Sequence, residues 1–259
     1  MLNWLKNLFG SPTQYIPPPS IDKMTHLCHK LDTIFHKLEK HIELGVSTKC
    51  LDEKARLFIK ESDVTPAFLG YRGYPAAITA SVNDEVINTL PSTRQLNRGD
   101  LLKLQIGIRD KEACVYQGWT YAIGELTSSD KQLTRTCMRA LRAATSKCVS
   151  GNKVSKISQA IQNIFKLGHV SACREYVGHG IGRYLHLPPE IPCYISIDQS
   201  ETSCVDEGMF LSVVVIGISG KPNLRRTDDA WNVITKDGSR SATFTRIIQV
   251  GKEAKVLTR

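Results

Sequence analysis

The stretch Gly178–Pro189, GHGIGRYLHLPP, decides the fold. It contains two histidines, His179 and His186, together with Gly180 and Gly182, whose backbone freedom suits a tight turn. A Gly-His-Gly triplet alone says little. Its meaning depends on the segments that accompany it along the chain.

The chain has 259 residues, 41% of them hydrophobic and 23% charged. That is enough to bury the core of one large domain, and it argues against disorder. The formal net charge is +9. Neither zinc-finger spacing nor an RNP-like aromatic motif is present, so sequence-specific DNA reading is not expected. The basic balance reads either as a solvated surface or as attraction to an acidic partner such as ribosomal RNA or an anionic membrane. Eight cysteines are scattered without a CxxC pair. This pattern points to reduced, mostly buried thiols in a cytoplasmic protein rather than to a disulfide framework.

Residues 1–9 place Leu2, Trp4, Leu5, Leu8 and Phe9 along a short segment that reads as a packed helix or as a weak membrane or partner dock. The segment is too short to span a bilayer. Residues 10–20 form a Pro-rich connector, so residues 1–20 read as an extension and 21–259 as the domain.

From Ile21, the spacing of Met24, Leu27, Leu31, Phe35, Leu38 and Ile42 predicts an amphipathic helix stopped at Gly45. Ser47 or Thr48 then caps a second helix. His26, His29, His36 and His41 lie on the first helix without a carboxylate frame and read as a polar face, not a metal site. Phe68 to Tyr74 reads as a loop. Strands are predicted at Ile78–Val82, Leu101–Ile108 and Cys114–Ile123, helices at Asp130–Cys148 and from Val154, and strands at Met209–Ile218, Trp231–Thr235 and Thr243–Val250. Helix pairs alternate twice with strand groups, which fits an α+β architecture with antiparallel sheet and helices on one face.

Six segments, GVSTKCLDEKA, FLGYRGYPAAITASVNDEV, LNRGDLLKLQIGI, YVGHGIGRYLHLPPEIP, DEGMFLSV and TKDGSRSATF, together resemble the type I methionine aminopeptidases of peptidase family M24. The resemblance covers residues 21–250 and implies the pita-bread fold, a pseudo-two-fold antiparallel sheet with helices on one face. It also implies two divalent cations held by two Asp, one His and two Glu. Hard carboxylates are needed there because two dications about 3.5–4 Å apart repel. Carried over residue by residue, the ligand positions fall on Gln105, Tyr116, His179, Val214 and Thr245. Four acids are thus exchanged for Gln, Tyr, Val and Thr.

The family's substrate-contacting His falls on Asn88, whereas His186 matches the second active-site His. Tyr71, Tyr74 and Trp231 match pocket positions, and Phe68 and Leu185 replace a smaller residue and a Phe. Phe68 either lines or fills a methionine-sized slot, and these residues read equally as core. Cys114 and Cys173 lie near the motifs, but no Cys–His–acid arrangement is legible. The expectation is therefore a catalytically silent relative with no metal and no catalytic residue, one that binds peptide N-termini or the ribosome. Two alternatives stand beside it. One is an active aminopeptidase with a rearranged or mononuclear site using Co, Mn, Fe or Zn. The other is a decoy competing with a genuine aminopeptidase.

Overall fold

The computed structural model describes residues 18–195, 203–229 and 231–259. The expectations for residues 1–9 and for most of the Pro-rich connector lie outside the described residues.

Four helices are present among them. Helix α1 (Ile21–Glu39) starts at Ser20, whose hydroxyl accepts the Lys23 N–H at 3.2 Å. It ends well before Gly45, a residue that lies instead in a left-handed turn at φ 84°. Helix α2 (Thr48–Glu61) is capped by Ser47, which accepts the Cys50 N–H. Helices α3 (Ser128–Thr145) and α4 (Val154–Leu167) form the second pair. Thr127 caps α3 by accepting the Asp130 N–H and donating its hydroxyl to the Asp130 carboxylate. On α4, Ile157, Ile161 and Phe165 recur at helical spacing and are buried, each contributing about 1.5–3 kcal/mol by leaving water.

Seven strands build the site. Strands β1 (Ile78–Val82), β2 (Leu101–Arg109) and β3 (Cys114–Ala122) run antiparallel, with Gln105 opposite Gly118 and Tyr116 opposite Gly107. Strands β4 (Gly178–Gly180), β5 (Leu187–Ile191), β6 (Phe210–Ile218) and β7 (Ser241–Gln249) form a second antiparallel set. Val214 sits directly opposite Thr245 in it, and His179 opposite Ser212. Thr120 of β3 joins the two sets, donating its hydroxyl to Thr243 O of β7 and accepting the Thr243 N–H, both at 2.8 Å.

The helix pairs divide the core in the same way. Residues of α1 and α2 pack with β1, β2 and β3 in one apolar cluster, and α3 and α4 pack with β6 and β7 in a second. The architecture is the expected pita-bread α+β fold with antiparallel sheets. Helices α3 and α4 expose Lys131, Arg135, Arg139, Arg142, Lys156 and Lys166. The one acid on either helix, Asp130, is buried in an ion pair with Arg240 at 2.7 Å.

All eight cysteines are free thiols, and only Cys204 is fully exposed. No helix among the described residues is long and apolar enough to cross a membrane.

Candidate functional site

His179 reaches the site because β4 is squeezed between β5 and β6. A Cβ on Gly180 would lie 2.1 Å from Pro188 O, and one on Gly178 would lie 2.6 Å from Ser212 O. Glycine is required at both positions by close backbone approach rather than by an unusual φ. The His179 side chain is buried, and its Nδ1 lies 2.8 Å from Gly180 O. A carbonyl only accepts, so Nδ1 carries the proton. Burial lowers the pKa of His179 to about 4, so the ring is neutral at pH 7 and Nε2 is an acceptor. The Tyr116 hydroxyl donates to that Nε2 at 3.1 Å.

His186 lies beside His179, with ring centroids 4.3 Å apart. Burial first, and then the neighbouring His179 and Arg72, lower its pKa to about 3. Its Nδ1 is hydrogen-bonded to the Tyr71 hydroxyl at 2.8 Å. The rings continue on both sides. Tyr71 stacks on His186 at 5.4 Å, Tyr116 on His179 at 5.6 Å, and Phe68 meets Tyr116 edge-on at 5.9 Å. Tyr71, His186, His179, Tyr116 and Phe68 thus form one continuous array.

Gln105 and Thr245 converge on β3. A Cβ on Gly118 would lie 3.2 Å from both Gln105 Nε2 and Thr245 Oγ1. The Gln105 carbonyl oxygen accepts the Thr79 hydroxyl at 3.2 Å, whereas the buried Thr245 hydroxyl has no hydrogen-bond partner among the described protein atoms. Phe68 presses on the same sheet, because a Cβ on Gly107 would lie 2.8 Å from Phe68 Cε1. Leu185 is buried in the same cluster as Tyr116 and Val214.

Other expected residues lie apart from this array. Tyr74 donates to Ile78 O and Thr89 O and packs edge-on against Trp231 at 5.2 Å. Asn88 follows a short strand (Glu85–Ile87) in the left-handed region at φ 62°, a conformation Asn tolerates. Burial pushes the Cys114 thiol up to about 12 and the Cys173 thiol up to about 11, which makes both poor nucleophiles at neutral pH. Thr79 and the two close-packed glycines, Gly107 and Gly118, escape sequence reasoning. Only the sheet register brings them under the side chains they touch.

These donors can be tested against a pair of divalent cations. Val214 has no ligating atom, Gln105 and Thr245 offer only neutral oxygens, and burial raises the Tyr116 phenol well above its ordinary pKa. No group of three or more His, Cys, Asp or Glu converges among the described residues. One imidazole without a carboxylate leaves two dications almost uncompensated, so this shell does not fit them.

The sequence profile of Metallopeptidase family M24 matches residues 22–250. Methionine aminopeptidase 1 of Bacillus subtilis is 34% identical over 224 residues, spanning 86% of this chain and 90% of that one. Methionine aminopeptidase 1 of Mycobacterium tuberculosis is 33% identical over 228 residues, spanning 83% of each. Among solved structures, methionine aminopeptidase from Thermotoga maritima superimposes with a TM-score of 0.89 at 27% identity, covering 95% of this chain and all of that one. Prolidase from Pyrococcus furiosus shares the fold, with a TM-score of 0.74 at 16% identity and coverage of 92% and 63%.

These relatives correct the expectation of a catalytically silent binding protein. The chain aligns along nearly its whole length with methionine aminopeptidases and supports the active alternative better. The physical reason is one of scope. The side chains at the four expected acidic positions bear on how a pair of metal ions would be held, and nothing in them shows loss of catalysis.

Proposed function

This chain belongs to metallopeptidase family M24, and from that membership we propose that it is an aminopeptidase releasing N-terminal methionine from peptides at a rearranged centre. The observation that carries this is the 34% identity to the Bacillus subtilis enzyme across 86% of the chain. The family points to a divalent ion, and the donors here do not fit a two-ion shell.

The chain's own residues supply the rest. Phe68, Tyr71, Leu185 and Tyr116 give an apolar, aromatic wall suited to a methionine side chain. His186 is held at Nδ1 by Tyr71, and its Nε2 is left to the substrate's amine or scissile amide. His179, neutral and fixed by Gly180, backs that ring.

The test is cleavage of a Met-Ala-Ser peptide by EDTA-treated protein, alone and with added Co²⁺ or Mn²⁺. Methionine release is expected to fall about 100-fold or more in His186→Ala, the range that one positioned acid–base group typically supplies. Absence of release under every condition overturns the proposal.

A further inference from the structure

We propose that the Tyr116 phenol proton occupies the place on His179 Nε2 where the family holds a cation, so that the centre is closed by protein and takes up no pair of divalent ions. The argument is one of valence. A neutral imidazole has one lone pair in the ring plane, and His179 presents it at Nε2 because Nδ1–H is committed to Gly180 O at 2.8 Å. Tyr116 Oη stands 3.1 Å from that lone pair and can only donate to it. An ion approaching Nε2 must displace the phenol or ionise it.

Displacement is opposed on each side. Tyr116 is stacked on His179 at an interplanar angle of 20° and is flanked by Phe68, whose ring fills the space above Gly107. His179 is backed by His186, and that ring is tied to Tyr71. Across the site, Val214 and Thr245 face each other in β6 and β7 and offer no anionic oxygen to compensate an arriving charge. The same sheet position that would carry a carboxylate in the family therefore carries an internal hydrogen-bond donor. The inference concerns ion binding and does not depend on turnover.

The experiment is Zn²⁺ titration of the EDTA-treated full chain, followed by equilibrium dialysis with elemental analysis and by imidazole ¹⁵N spectra of His179. Substoichiometric Zn²⁺ at the site and an unmoved Nε2 resonance are expected. The double variant Gln105→Asp/Tyr116→Asp, which supplies two carboxylates and removes the phenol, is expected to move uptake from substoichiometric to stoichiometric. If that variant does not fold, Tyr116→Phe serves instead: Nε2 then shifts from a hydrogen-bonded to a free acceptor without any Zn²⁺ present. Two equivalents of ion on the parent chain, lost in His179→Ala, overturn the proposal, as does one equivalent that shifts Nε2. Peptide cleavage is scored separately, so an inactive protein with a capped His179 sinks the aminopeptidase reading alone.

Discussion

The antiparallel pair of β2 and β3 and the antiparallel pair of β6 and β7 each bring two residues to the same site, and the chemistry they bring differs. The first supplies Gln105 and Tyr116, both hydrogen-bonded: Gln105 to Thr79 at 3.2 Å and Tyr116 to His179 at 3.1 Å. The second supplies Val214, whose side chain cannot hydrogen-bond, and Thr245, whose hydroxyl has no partner among the described protein atoms. Within one buried site, one half is a polar network. The other half is sheet packing. A polar group that stays buried must find a partner, whereas an apolar one need only fill space.

The largest expected effect comes from acid, and it should be confined to the polar half. His179 and His186 have pKa values lowered from 6.5 to about 4 and about 3 by burial. Between those values and 6.5 the unfolded chain binds protons that the folded chain refuses, so stability rises with pH there. It is fully present above about 6.5 and is lost as pH falls toward 4 and 3. At about 1.4 kcal/mol per unit of separation, the loss amounts to several kcal/mol. Urea denaturation at stepped pH measures it. The variant His179→Phe/His186→Phe should flatten the slope above pH 4. A slope unchanged in that variant would show that the histidines do not set the acid limit.

Tyr116→Phe ranks next. It keeps the stacked ring and removes the donor, leaving a buried Nε2 unsatisfied, which costs about 1–3 kcal/mol. Urea denaturation at pH 7.5 checks this. A variant as stable as the parent would mean that the Tyr116–His179 bond contributes nothing net, and the contrast between the two strand pairs would collapse.

The contrast also marks what was legible in the sequence. Six ordered segments carried the fold, and the periodicities placed α1 to α4 and most long strands within a few residues. Position by position, the same segments point to Gln105, Tyr116, His179, Val214 and Thr245, an expectation that rests on strand register being preserved wherever one face is buried. The partner each residue finds was not legible. Tyr116 and His179 are separated by 63 residues, and Tyr71 and His186 by 115. No local pattern encodes such pairings. Short strands such as β4 and Glu85–Ile87 were missed because three residues carry no usable alternation. Lys103 interrupts the apolar run of β2. In the fold it is fully buried, its ammonium donating to Asn83 O at 2.6 Å, and burial lowers its pKa to about 7.

The smallest expected effect is the one that most sharply separates the two halves. Thr245→Val removes a buried hydroxyl with no protein partner and keeps the branched shape opposite Val214 in β6. Threonine-to-valine exchange is usually costly because a buried hydroxyl is usually satisfied. Here the desolvation of that hydroxyl is already an uncompensated cost of the folded state, so its removal should leave stability within about 0.5 kcal/mol of the parent or raise it. Thermal and urea unfolding compared side by side with Tyr116→Phe decide the matter. A loss for Thr245→Val as large as that for Tyr116→Phe would place Thr245 inside the polar network with Gln105, its neighbour around Gly118. The second strand pair would then be as polar at the site as the first.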